Sequence, residues 1–348
     1  MKNKKIWGTI AIIIAVIFAI NIKVPFYITT PGGAISLHDM VVVEDAYEDE
    51  VGSFRLTTVR TGQTNVAGYI YALLDPYADL VESYLVHSPH ESNEQYIQRQ
   101  IEVMKASQDT AKIVAFQKAG YNVNLKNGGA IVMQFVPGYP AEEVLEIGDI
   151  ITEVDGKKIE TAVELINSLK GKKENDKVSL TFIREGITKE AAIALKTLPG
   201  TDEKGEKKPG IGIASPITKR QFEIPKEVTI KSQDIGGPSA GLMFTLEMIN
   251  QLTPDDLTKG YDIAGTGTIN DDGSIGRIGG VHHKVVAAHK EKVDIFFAPA
   301  TEDENGVSNY DQAAERAKEI STTMKIVPVK TIDDALSYLK ELPPKSKD

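Results

Sequence analysis

No cysteine occurs among the 348 residues. Disulfides, thiol nucleophiles and cysteine-built zinc sites are therefore excluded, and a chain without thiols suits an oxidising exterior. Basic blocks are missing too, and the formal net charge is -10, so a nucleic-acid partner is not expected. His282, His283 and His289 stand close together, but no glutamate follows in a zinc-protease arrangement. They read as surface or site-neighbouring residues, and no metal or cofactor is expected. Gly273 to Gly280 has the glycine content of a phosphate loop without the Gly-Lys-Ser/Thr ending. With no Walker A motif anywhere in the sequence, no ATPase is expected.

What is present describes a folded protein, 41% hydrophobic and 25% charged, long enough for two domains. Ile6 to Ile22 is an uncharged apolar run preceded by Lys2, Lys4 and Lys5. At about 1.5 Å per residue it covers roughly 25 Å, slightly less than a ~30 Å hydrocarbon core. Val24, Pro25, Phe26 and Tyr27 can extend it into the interface, with Lys23 snorkelling. The run is longer than a usual signal-peptide core, and no small-x-small cleavage site follows, so it reads as a retained anchor. The leading lysines place the N-terminus in the cytoplasm and the bulk outside.

The chemistry concentrates at Gly236-Gly237-Pro238-Ser239-Ala240-Gly241, which precedes the apolar run Leu242 to Ile249. It reads as a glycine turn opening a helix, with Pro238 at the first helical position and Ser239 in the first turn. A hydroxyl there can attack a carbonyl, and spare amides around Gly237 to Ala240 can hold the resulting oxyanion. The plainer reading is that Ser239 caps a helix. A second glycine turn, Ile278-Gly279-Gly280, opens another helix. Lys284 falls in its first turn, while Val281, Val285 and Ala288 give it a core-facing side. A lysine half-buried near a helix start can be neutral near pH 7 and take the serine proton. His283 is an alternative base, ranked below Lys284.

Gly-Pro-Ser-Ala-Gly, then Thr-Gly, then Ile-Gly-Gly-x-x-x-Lys-x-x-Ala-Ala-His resembles the proteolytic domain of Lon-type serine proteases. The resemblance implies that Ser239 is the nucleophile, Lys284 the general base and Thr266 the threonine that orients the lysine. One position departs: the family's acidic residue three before the serine is Gly236 here, and Asp234 lies two residues further back. Pro137-Gly138-x-Pro140-Ala141 and Gly148-Asp149-Ile150-Ile151-x-x-Val154-Asp155-Gly156 are similar to a bacterial protease-type PDZ domain, with Asp155-Gly156 as a hairpin signal. Such domains take an extended peptide as an added strand. Gly120-Tyr121-Asn122-Val123 is the candidate carboxylate-binding loop.

Phe54 to Val59 alternates like a half-buried strand, Tyr69 to Val86 reads as helix or strand, and Ser92 to Lys118 as a long helix. These lead to an α+β fold: a Lon-type proteolytic domain with an inserted PDZ domain, plus one N-terminal transmembrane helix. The expected divisions are a cytoplasmic tail (1–5), the anchor (6–26), the first part of the protease domain (30–118), the PDZ domain (119–200) and the catalytic part (205–342), reached through a polar linker near 201–209. Over nearly its whole length the chain resembles membrane-anchored Lon-like PDZ proteases of Gram-positive bacteria (the YlbL family). The implied activity is ATP-independent endoproteolysis at the outer membrane face, on short peptides or small membrane or secreted proteins. Lon-like domains often form rings, which leaves a homo-oligomer open. The competing class is a membrane-tethered PDZ peptide-binding protein with an inactive protease-like domain.

Overall fold

The computed structural model describes residues 2–47, 51–87, 91–199, 208–232 and 235–346. Among them lie nine α-helices: α1 (Lys2–Asn21), α2 (Val66–Leu74), α3 (Ser83–Val86), α4 (Asn93–Lys118), α5 (Ala162–Ser168), α6 (Gly241–Leu252), α7 (Val281–Lys290), α8 (Asn309–Glu319) and α9 (Ile332–Glu341).

The main sheet has six strands in the order Lys325–Val329, Ile295–Pro299, Asp262–Gly265, Ser53–Asn65, Lys23–Ser36 and Asp79–Glu82. The first four run parallel to their neighbours and the last two are antiparallel. Parallel neighbours need a crossover, and here α7 and α8 supply them in turn. Strands from near the start and from the end of the chain thus share this sheet. A second, antiparallel sheet lies between them in sequence: Ile187–Ala194, Lys177–Arg184, Ile150–Val154, Asn124–Ile131 and Ile217–Glu223. It has its own apolar cluster, including Val132, Ile151, Leu165, Leu180 and Phe182. At its hairpin Asp155 (φ 51°) and Gly156 (φ 72°) are both left-handed, as a two-residue Asp-Gly loop requires.

Helix α4 starts where its capping box predicts: the Ser92 side chain accepts from the Gln95 amide, and the Gln95 side chain answers the Ser92 amide. Its buried side comes chiefly from its second half, with Met104, Ala111, Val114 and Phe116 packed against α6 and the main core, while Ile97 is exposed. The 69–86 stretch, open to either reading, divides into α2, the edge strand Asp79–Glu82 and α3.

The N-terminus departs from expectation. Helix α1 stops at Asn21, and Lys23–Phe26, assigned to the end of an anchor, belong to the strand Lys23–Ser36. The cause is local: the Asn65 side chain donates to the Ile20 carbonyl at 2.6 Å, and the Val66 amide to Ile22 at 3.1 Å. Lys23 then opens the ladder opposite Asn65. Among the described residues no helix is long and apolar enough to cross a membrane. Ile6, Trp7, Ile13 and Phe18 of α1 are nonetheless exposed.

Candidate active site

The serine turn is built against α4. Gly237 adopts φ +86°, a conformation that side chains resist, and its amide donates to the Gln100 carbonyl at 3.0 Å. The Ser107 hydroxyl donates to the Pro238 carbonyl at 3.0 Å. A Cβ on Gly241 would meet the Ile269 amide nitrogen at 2.9 Å, so only glycine lets the turn close on this neighbour. Helix α6 begins at Gly241 with Ala240 as its N-cap. Pro238 and Ser239 therefore sit in the turn ahead of the helix rather than in its first turn. A side chain in that turn can be reached from solvent while the helix behind it is buried, and Ser239 is half-buried.

The Ser239 carbonyl is held from two directions. The Gly267 amide donates to it at 2.9 Å and the Thr266 hydroxyl at 3.0 Å. Thr266, fully buried at the end of the strand Asp262–Gly265, thus fixes the serine backbone instead of orienting the lysine.

Lys284 reaches the turn from the fourth position of α7. Its Nζ lies 2.8 Å from Ser239 Oγ and donates to the Thr57 carbonyl at 2.9 Å. The amine is buried, and among the described residues no carboxylate pairs with it. Removing an ammonium from water without a counter-charge favours the neutral form, and burial lowers this pKa to about 7. Thr57, on the strand Ser53–Asn65, is held by its own hydroxyl donating to the Gly265 carbonyl at 3.0 Å. Sequence reasoning missed Thr57, because its contribution is a backbone oxygen and no side-chain type marks it.

The expected residues separate into those brought together and those not. Ser239, Lys284, Thr266 and Ala240 share one site. The Gly237 amide is engaged by Gln100, so it does not face a substrate; the Ser239 and Ala240 amides carry no backbone hydrogen bond among the described residues. A Cβ at Gly236 would come within 2.7 Å of Gln100 Cβ, so an acidic side chain there would displace α4. Asp234 lies outside the described residues, as does linker segment 201–207. His283 turns to Asp79 Oδ2 at 3.0 Å rather than to Ser239. Burial holds the His283 imidazole below its ordinary pKa.

The segment expected to bind peptide carboxylates does not line the groove of the second sheet. Gly120 to Val123 closes α4, with the Tyr121 ring 5.5 Å from that of Phe116 and Val123 packed on the main core. The concave apolar groove of the second sheet, a cavity of about 550 Å³, instead runs between Leu165, Ile166 and Leu169 at α5 and the segment Pro209 to Ile213. None of the four expected residues lines it. The sequence signal for that wall was Gly210-Ile211-Gly212-Ile213, where Gly212 takes φ +94°.

Residues 221–341 match the family model of the Lon protease (S16) C-terminal proteolytic domain, and residues 114–195 match that of the PDZ domain. These two stretches therefore carry a Lon-type C-terminal proteolytic domain and a PDZ domain. The chain is 28% identical over 166 residues to a Lon protease of Campylobacter concisus, covering 47% of this chain and 19% of that protein. It is 29% identical over 210 residues to a Lon protease of Xanthomonas oryzae pv. oryzae, covering 58% and 22%. It is 35% identical over 78 residues to a probable periplasmic serine endoprotease, DegP-like, of Pseudomonas fulva, covering 22% and 16%. The chain thus spans about a fifth of the length of the Lon relatives it matches.

Proposed function

We propose that the protein is an endopeptidase that works by acyl transfer, with Ser239 as nucleophile and Lys284 as general base. The observation that carries this reading is the 2.8 Å approach of a buried amine, with no carboxylate partner among the described residues, to the Ser239 hydroxyl. The neutral amine donates one N–H to the Thr57 carbonyl, which aims its lone pair at the serine O–H. Ser239 Oγ gives its proton to Nζ as it bonds to the peptide carbonyl carbon. The Ser239 and Ala240 amides receive the developing oxyanion. The ammonium returns the proton to the leaving amine, and water, deprotonated by the same lysine, releases the acyl group. Thr266 and Gly267 keep the serine backbone from recoiling.

The PDZ unit, an insertion in the Lon-like fold on this reading, holds an extended peptide in the groove along α5 and delivers it to the serine. We place the enzyme at the outer face of a membrane, with the exposed apolar side chains of α1 as its attachment. Substrates are short peptides or small membrane or secreted proteins, cleaved without nucleotide. The test is cleavage of a mixed peptide library by the full chain, read by mass, with and without ATP. Fragments should appear in both conditions and vanish in Ser239→Ala. Equal cleavage by Ser239→Ala would leave the pair a relic and favour the peptide-binding class. Carbonate extraction from membranes checks the attachment.

A further inference from the structure

Asp79, on the edge strand Asp79–Glu82 of the main sheet, faces the first turn of α7. His282 Nε2 lies 2.6 Å from Asp79 Oδ2 and His283 Nε2 lies 3.0 Å from the same oxygen. One ligand atom from each of the three side chains falls within a 4.8 Å cluster. His283 is 2% exposed, and its Nε2, although 3.0 Å from the Asp79 carboxylate, makes no well-aligned hydrogen bond among the described residues. A buried imidazole nitrogen beside a carboxylate but poorly aligned to it calls for an explanation. An electrophile held at the point where the three atoms converge supplies one.

We propose that Asp79, His282 and His283 form a binding site for a divalent transition-metal ion, with zinc as the best fit. Two imidazoles and one carboxylate are a borderline-soft donor set of the kind Zn²⁺ takes, with water completing a tetrahedron. Atoms now at hydrogen-bonding separation would spread slightly around the ion. Asp79 is 49% exposed and His282 32%, so an ion enters from solvent and meets the buried His283 last. Two positive features oppose it: the N-terminal end of α7 and Arg316. The Asp79 carboxylate offsets the first, and the Arg316 guanidinium is held by Glu319 at 3.0 Å. The bound ion would clip the edge strand to the helix that carries Lys284. The two histidines thereby acquire a role that their spacing alone did not indicate.

The experiment is calorimetric titration of the chelator-treated full chain with Zn²⁺ alone, repeated with Co²⁺ to read coordination from its visible absorption. One saturable equivalent and a tetrahedral Co²⁺ spectrum are expected. Asp79→Ala and His282→Ala, both at accessible positions, should each weaken binding by at least about tenfold. His289→Ala, on the exposed side of the same helix, should bind as the parent does. Zn²⁺ should also slow hydrogen exchange in residues 79–82. Absence of saturable binding overturns the proposal, and so does binding that survives both substitutions.

Discussion

Replacing Lys284 by methionine should abolish peptide cleavage and stabilise the fold, two effects of opposite benefit from one side chain. An unfolded lysine holds its proton up to about pH 10.4. The folded site releases it near pH 7 because the amine is buried and, among the described residues, no carboxylate pairs with it. Between these values the unfolded chain binds more protons, so wild-type stability rises with pH and falls as pH drops towards 7. At neutral pH the penalty is on the order of 4 kcal/mol. Methionine has similar length and no charge, so it escapes this cost, but it leaves the Thr57 carbonyl without its donor. That loss returns roughly 1–3 kcal/mol. A net gain of about 1–3 kcal/mol is expected at pH 7, shrinking towards zero or reversing by about pH 10. Hydrogen exchange of the buried α7 amides reports opening of this part of the fold and is the suitable readout. A Lys284→Met protein destabilised at pH 7 would mean that the amine is charged and paired, and the reasoning would fail.

Peptide cleavage should rise with pH through about 7 as Lys284 loses its proton, and a rate flat between pH 6 and 9 in a buffered peptide assay would argue against a lysine base. Lys284→Arg should be inactive, since a guanidinium keeps its proton and cannot act as base. Thr266→Val removes one hydrogen bond to the Ser239 carbonyl and should lower kcat by roughly 3–10-fold with little change in KM, while Thr266→Ser restores it. Gly237→Ala forces a side chain into φ +86° beside Gln100 Oε1 and should cost about 1–2 kcal/mol, seen as a fall in both stability and kcat.

Legibility followed the physics of each signal. The two glycine turns were readable because glycine at a left-handed φ and an apolar helix behind it leave a local signature; Lys284 lies in the first turn of its helix as expected, whereas Ser239 lies in the turn just ahead of its own. The helix at 92–118 was readable from its long helical pattern, although its capping box emerged only in the structure. Thr57 was not, because a carbonyl oxygen carries no residue code and reaches Lys284 only through the pairing of distant strands. Thr266 was recognisable as a site residue, but not its partner, since a hydroxyl chooses among acceptors by geometry alone. Gly120 to Val123 looks like an open loop from sequence, whereas its tyrosine packs on the main core, a contact that no local pattern announces. The end of α1 depended on Asn65, far along the chain. The meeting of Asp79 with His282 and His283 likewise arises from sheet order.

Lys284 beside Ser239 should lose its proton near neutral pH. Side-chain NMR of the full chain, following the Lys284 Cε and Nζ signals through a pH titration and assigned by the loss of the signal in Lys284→Met, tests it most directly. A midpoint near 7 is the predicted result. A midpoint at or above about 10, as for a solvated lysine, would contradict it.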